Sequence, residues 1–212
     1  MPKVSVDNEV ITVIIIFSVE PERQRELIDT ISEFLHTVKQ QPGFVSASIH
    51  KSIDGVKVAN YAQWQSLEDY QNFLGNQQVQ AKASKLREFN PPDVNIYEVA
   101  ISESKIGTPK IVSGEYITHF AEFRMSPENQ PQMMILAQEN VGKAMKLDGL
   151  ISANFHRSLD GTRVINYGQW RDLQTIEQLK KEPGFGSESP YWEGIAENEH
   201  HLYEVVITEP GD

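Results

Sequence analysis

The chain has 212 residues and a formal net charge of −11, with 39% hydrophobic and 23% charged residues. This length allows one large domain or two small ones, and the acidic balance disfavours nucleic acid and anionic lipid as partners, because both are bound through clustered Lys and Arg. The absence of cysteine excludes disulfides, thiolate catalysis and cysteine-ligated metal sites.

The apolar segments are short. The longest run, Val13–Phe17, is far below the roughly 20 residues that span a bilayer. The first residues also lack the apolar core and cleavage site of a signal peptide. The sequence therefore predicts a soluble, cytoplasmic protein that does not bind membranes.

The first elements are a strand and a helix. Val10–Phe17 is almost continuously apolar and rich in β-branched residues, which predicts a central strand buried on both faces. Pro21–Gln40 has apolar residues at helical spacing and predicts a helix that Pro42-Gly43 ends.

A hairpin, a second helix and a last strand follow. Asp54-Gly55 is a two-residue turn signal, because both residues tolerate the positive φ of a type I′ turn. Ser66–Asp69 resembles a helix start, and Tyr97–Ile101 predicts a closing strand. The order strand, helix, strand, strand, helix, strand is that of a ferredoxin-like α+β unit.

The whole pattern occurs twice. An offset of 106 residues places Gly43–Gly55 over Gly149–Gly161 and Asn60–Trp64 over Asn166–Trp170. A constant offset from the first strand to the last indicates two copies of one fold. We therefore expect a first domain at 1–104, a linker at 105–114 and a second domain at 115–212.

The hairpin places an amide on an apolar face. Counting outward from its turn pairs Ile49 with Asn60 and Val45 with Trp64, so that Asn60 and Trp64 share a face with aliphatic side chains. Asn166 and Trp170 take the same positions in the second copy. Each Asn either bonds a nearby backbone group or holds a substrate oxygen in a pocket, and each Trp is either a core residue or part of that pocket.

These residues resemble the antibiotic biosynthesis monooxygenase family over nearly the whole chain, twice. The segments that carry the resemblance are Phe17–Glu22, Pro42–Phe44, Asn60–Trp64, Ser66–Tyr70 and Tyr97–Val99. In this family two ferredoxin-like units, normally from two chains, pair their sheets into a barrel. The resemblance implies an intrachain dimeric α+β barrel, and a homodimer of the tandem chain is a further possibility.

The resemblance also implies a reaction and its residues. One branch oxidises polycyclic phenols with O₂ and no cofactor, using an Asn, a Trp and a Tyr that match Asn60, Trp64 and Tyr70 as catalytic residues. Asn166 and Trp170 match as substrate-binding residues, but Ile176 replaces the Tyr. The branch's Arg on the second helix is missing, since Ser84 and Pro190 stand there, and Arg87 is a substitute.

Other candidates have two interpretations each. His50 and His156 lie on the opposite face from Asn60, as structural groups of the barrel interior or as a proton acceptor. Trp192, with Tyr191, either lines the second pocket or packs in the core. His200-His201 near two glutamates fits a solvated surface better than a metal site.

Three further patterns are negative or weak. Gly184–Gly186 lacks the strand–turn–helix setting of a nucleotide-binding loop and is interpreted as a plain loop. Pro183-Gly184 is expected to interrupt the second helix of the second copy. The family's haem-degrading branch is disfavoured, because its first-strand Asn and its Trp–His pair are missing.

The sequence therefore predicts a cofactor-independent monooxygenase that acts on a phenolic or quinol-like aromatic with O₂. The alternative is a non-catalytic small-ligand-binding or stress-related protein with the same fold, because a fold alone does not fix a function.

Overall fold

The structure is a computed structural model that describes residues 2–179 and 190–210. Each half of the chain forms a β-α-β-β-α-β unit, and Gln77–Lys82 is a further short helix of the first unit. The first unit consists of β1 Ile11–Ser18, α1 Gln24–Val38, β2 Phe44–Ser52, β3 Lys57–Trp64, α2 Leu67–Gly75, α3 Gln77–Lys82 and β4 Asp93–Ser104. The second consists of β5 Ile117–Arg124, α4 Gln130–Ala144, β6 Leu150–Ser158, β7 Arg163–Trp170, α5 Leu173–Leu179 and β8 Glu197–Glu209.

All eight strands form one closed barrel in the order β1-β3-β2-β8-β5-β7-β6-β4. Within a unit the edge strands are β2 and β4, or β6 and β8. The barrel closes because β2 pairs with β8 and β4 pairs with β6, both antiparallel. This intrachain pairing removes every free sheet edge, and it confirms the predicted tandem ferredoxin-like barrel.

Turn chemistry fixes the ends of several elements. Gly43 has φ +78° after α1, and Gly55 has φ +85° in the β2–β3 turn, a region that disfavours other residues. The sequence predicted a helix that begins at Pro21, and this start was wrong. Pro21–Arg23 is a turn of 3₁₀ helix, and α1 begins at Gln24.

The β2–β3 register agrees with the predicted one along most of its length. Ile49 pairs with Asn60, and Ala47 pairs with Ala62. A β-bulge between Phe44 and Ser46 then places Phe44 opposite Trp64. The pairing of Val45 with Trp64 was wrong, because the bulge adds one residue, and Val45 is 37% exposed.

The barrel wall separates an interior core from two outer cores. The interior core combines side chains of both repeats, including Tyr61, Phe120 and Tyr167. Each outer core lies between a sheet and the helices of its repeat. The last strands are longer than the predicted Tyr97–Ile101, and they join the repeats because Ile101 at the far end of β4 packs in the outer core of the second repeat.

The segment expected to be a linker packs against the barrel. Ile111 is fully buried in the interior core, as is Val4 near the start of the chain. The amide of Val4 donates to the carbonyl of Pro109 (2.9 Å), and the amide of Ile111 donates to Pro2 (2.9 Å). In residues 2–179 and 190–210, no helix is both long and apolar enough to cross a membrane.

Candidate active site

An apolar cavity of about 80 Å³ lies in the first repeat, between the outer face of the sheet and the helices. Its inner wall comes from β1, β2 and β3. Its outer wall comes from half-buried side chains of α1, α2 and a 3₁₀ turn at Ser84–Glu88, including Phe34, Phe73 and Leu86. Asn60 and Tyr70 are the lining residues with an amide or a hydroxyl group. The cavity therefore offers a hydrophobic environment with three neutral hydrogen-bonding side chains, because Trp64 also lines it and carries an indole N–H.

Asn60 lies in the centre of the sheet. It pairs with Ile15 of β1 on one side and with Ile49 of β2 on the other. Its side chain lines the cavity among aliphatic neighbours. The Asn60 Oδ1 atom is buried and accepts no hydrogen bond from any described residue. A buried carbonyl oxygen without a donor costs about 1–3 kcal/mol, so this amide oxygen is a candidate acceptor for a hydrogen bond from a ligand.

Trp64 and Tyr70 form one wall with two further aromatic rings. The Trp64 ring lies 5.7 Å from Tyr70, 4.9 Å from Phe73 and 5.7 Å from Phe44, measured between centroids. Desolvation by burial raises the pKa of Tyr70, so its phenol stays protonated and can donate a hydrogen bond.

The chain holds this wall through a helix cap. Ser66 Oγ accepts a hydrogen bond from the Asp69 amide (3.1 Å) two residues after β3 ends. This cap fixes the start of α2 and turns Tyr70 toward the sheet, because Tyr70 lies in the first turn of the helix. The predicted helix start is thus observed. Leu67 and Leu74 of this helix are exposed.

The second repeat keeps the amide and loses the hydroxyl. Asn166 pairs with Ala121 and Phe155, and its Oδ1 is likewise buried with no donor among the described residues. Ile176 is buried at the position of the Tyr. Trp170 is 6% exposed and belongs to the outer core of its repeat.

Trp192 packs against the same outer core. Its ring lies 5.1 Å from Phe123, and its neighbour Tyr191 has a pKa raised to about 12 by burial. The core interpretation of Trp192 therefore agrees with its contacts. Pro183-Gly184 and the glycine pattern 184–186 lie outside the described residues.

The structure does not bring Arg87 to the cavity. Arg87 is exposed on a 3₁₀ turn, Ser84–Glu88, whereas its neighbour Leu86 lines the cavity. A 3₁₀ turn stands where an α-helix was expected, and it directs side chains differently. Helical spacing in the sequence therefore could not predict that Arg87 is exposed or that Leu86 lines the cavity. Pro190 is exposed as well.

The two histidines of the hairpins lie inside the barrel, behind the sheet that carries Asn60. His50 Nε2 is 3.0 Å from the Tyr167 hydroxyl, and His156 Nε2 is 3.0 Å from the Tyr61 hydroxyl, so each pair joins the two repeats. Burial lowers the pKa of both histidines to about 4, which keeps them neutral. Their contacts are those of structural groups of the barrel interior.

His200 is exposed, and its neighbour His201 belongs to a hydrogen-bonded polar cluster with two partly exposed carboxylates. Its Nδ1 lies 2.6 Å from Asp54 Oδ2, and its Nε2 lies 3.1 Å from Glu199 Oε1. Lys57 of the first repeat also pairs with Glu199 (2.8 Å), and this pairing lowers the pKa of that carboxyl to about 2. The cluster links the two repeats and lies outside the cavity.

Comparisons with known proteins agree with this architecture. The family model described as antibiotic biosynthesis monooxygenase matches residues 10–84, which hold β1, the hairpin and the cavity residues Asn60, Trp64 and Tyr70. Tetracenomycin-F1 monooxygenase of Streptomyces glaucescens is 35% identical over 103 residues, which are 48% of this chain and 92% of that protein. The chain belongs to the antibiotic biosynthesis monooxygenase family.

Solved structures support the family's fold for the complete tandem chain. A crystal structure of an anthrone oxidase-like protein has a TM-score of 0.88 and 21% identity, covering 98% of this chain and 96% of that one. A putative monooxygenase from Fusobacterium nucleatum has a TM-score of 0.64 and 11% identity, covering 99% and 95%. At these identities the likeness concerns the fold, and it extends over both repeats of this antibiotic biosynthesis monooxygenase family member.

Proposed function

We propose that this chain is a cofactor-independent monooxygenase that oxidises a phenolic or quinol-like aromatic with O₂ in the first-repeat cavity. The observation that carries the proposal is the unpartnered, buried Oδ1 of Asn60 beside the neutral Tyr70 phenol in an otherwise apolar cavity. The relationship to a monooxygenase of Streptomyces glaucescens supports the same reaction class.

The expected chemistry uses the substrate's own electrons. An electron-rich phenol can pass one electron and its hydroxyl proton to O₂, and the resulting radical pair can combine at a ring carbon to form a hydroperoxide whose outer oxygen carries that proton. Loss of water from a peroxide on a ring CH₂ leaves a carbonyl, so that one oxygen atom enters the product and the other leaves as water. The protein's part is to bind the ring, orient it and stabilise the developing oxygen charge.

Each lining group has a role in this scheme. The Asn60 Oδ1 accepts a hydrogen bond from the substrate's hydroxyl in the ground state, and the Tyr70 hydroxyl donates one to an oxygen on which negative charge develops. The aromatic wall formed by Trp64, Phe44 and Phe73 stacks against the ring and limits water. A cavity of roughly 150 Å³ holds benzene, so a fused-ring ligand requires the half-buried outer wall to move outward.

Oxygen consumption tests the reaction. Protein treated with a chelator is mixed with a panel of anthrones and quinols, and O₂ uptake is followed against buffer alone. We expect uptake above the buffer rate for at least one substrate and one labelled oxygen atom in the product under ¹⁸O₂. Ligand binding without uptake across the panel would favour the alternative of a non-catalytic small-ligand-binding protein.

A further inference from the structure

We propose that the first-repeat cavity selects neutral aromatic alcohols and rejects aromatics that carry a carboxylate. The proposal rests on the function assigned above to the same cavity, and it narrows the substrate class. It follows from the lack of charged side chains in the cavity lining and from the hydrogen-bonding groups that the lining does contain.

Among residues 2–179 and 190–210, no charged side chain lines the cavity. Its lining residues are aliphatic or aromatic apart from Asn60. Basic residues of the helices and the 3₁₀ turn over the cavity are paired or exposed: Lys85 pairs with Glu33 (2.9 Å), Lys39 pairs with Glu209 (3.2 Å) and Arg87 is exposed. A buried carboxylate would therefore have no counter-ion.

Arg23, directly before α1, also has partners of its own. The Arg23 guanidinium lies 4.2 Å from the centre of the Phe89 ring and bonds Glu26 (2.8 Å). With a formal net charge of −11 on the whole chain, the long-range field also disfavours an anionic ligand.

The polar groups of the cavity match a neutral hydroxyl. The buried Asn60 Oδ1 needs a donor, and a phenol O–H supplies one, whereas a carboxylate oxygen offers only lone pairs. Rotation of the amide would present N–H groups, but one neutral amide does not offset the loss of solvation of a full charge. An uncompensated buried ion is expected to lower affinity at least about a hundredfold.

Three ligands of one shape test the proposal by calorimetric titration at pH 7. They are 6-methyl-2-naphthol, 6-hydroxy-2-naphthamide and 6-hydroxy-2-naphthoic acid, of which only the last is an anion. We expect the methyl and amide compounds to bind and the acid to bind at least about a hundredfold more weakly than the methyl compound. Equal affinity of the acid and the methyl compound would overturn the proposal.

A variant supplies the missing charge. Leu86 lines the cavity beside exposed neighbours, so Leu86→Arg is expected to raise the affinity for the acid at least about tenfold, whereas Leu86→Met leaves it unchanged. If Leu86→Arg does not fold, as judged by circular dichroism, the three-ligand comparison on the unaltered chain still decides.

The outcomes separate this proposal from the proposed function. Selective binding of the neutral naphthols without O₂ uptake from any anthrone would support the selectivity and contradict the monooxygenase activity. O₂ uptake together with equal affinity for the acid and the methyl compound would support the monooxygenase activity and contradict the selectivity. Failure of the neutral naphthols to bind would overturn the selectivity.

Discussion

At the residue scale, the two repeats offer a comparison inside one molecule. Asn60 and Asn166 occupy equivalent positions, and both have a buried Oδ1 without a donor among the described residues. Tyr70 accompanies the first amide and Ile176 accompanies the second. The amide alone is thus common to both halves, and the pair of amide and phenol belongs to the first.

This asymmetry predicts unequal effects of the same substitution. We expect Asn60→Ala to lower turnover roughly ten- to a hundredfold, because the substrate hydroxyl loses the acceptor that positions it, and misplacing a reacting group can cost about a hundredfold in rate. Asn166→Ala is the matched control and is expected to change turnover little. Rates come from O₂ uptake, and circular dichroism confirms folding. Equal losses in two folded variants would contradict the prediction.

The phenol of Tyr70 can be tested by removing one atom. Tyr70→Phe keeps the aromatic wall around Trp64 and deletes the donor, so turnover should fall by a similar factor while the affinity for an inert naphthol changes less. Ile176→Val, a small change at the equivalent position, serves as control. Unchanged turnover in Tyr70→Phe would remove this hydroxyl from the mechanism.

At the scale of elements, helix caps connect local sequence to the cavity. Ser66 caps α2, which carries Tyr70 and Phe73, and Asp172 caps α5 by accepting from the Thr175 amide (2.7 Å). The two caps are equivalent in the two repeats, yet only α2 contributes to the cavity lining.

Removing each cap should therefore have one shared effect and one distinct effect. Ser66→Ala and Asp172→Ala are each expected to lower the free energy of unfolding by about 1 kcal/mol, measured by urea denaturation. Only Ser66→Ala should also weaken naphthol binding, because it loosens the helix that forms the outer wall. A binding loss in Asp172→Ala as large as that in Ser66→Ala would show that the effect is general destabilisation.

At the scale of the whole molecule, two Tyr–His pairs join the repeats inside the barrel. His50 and His156 have folded-state pKa values of about 4 because they are fully buried, against an ordinary value near 6.5. As pH falls below 6.5 the unfolded chain takes up protons that the folded chain does not. Their contribution to stability is thus complete above 6.5 and is lost as pH falls toward 4.

Acid destabilisation in this window is a direct prediction. The free energy of unfolding should fall by up to about 2.7 kcal/mol per pH unit between pH 6.5 and 4.5, the slope for two protons. Denaturation by urea at a series of pH values measures it, and His50→Gln should halve the slope. A flat profile would mean that these histidines are protonated as easily in the folded chain as in the unfolded one.

Much of the fold followed from the sequence because it depends on local and periodic features. The repeat offset, the apolar strand β1, the positive φ of Gly55 and the Ser66 cap all depend on a few residues, and the structure shows each of them. The predicted two-residue turn was wrong in its centre, because the Gly55 amide donates to the Ser52 carbonyl and places Ile53-Asp54 in the middle of the turn. Period-two alternation along β3 sufficed to place Asn60 and Trp64 on one face. The resemblance supplied the closure of the barrel, which pattern alone does not determine.

Other features were decided by tertiary packing. The bulge that replaces Val45 by Phe44 opposite Trp64 has no signal in the alternation pattern. In the 3₁₀ turn Ser84–Glu88, Arg87 is exposed and Leu86 lines the cavity. This arrangement depends on how the helices and the turn pack against the sheet. The pairing of His50 with Tyr167 joins residues 117 positions apart, because the two repeats enclose a common interior. Sequence determined the elements and their faces through short-range geometry, and only the closed barrel decided which side chains meet across them.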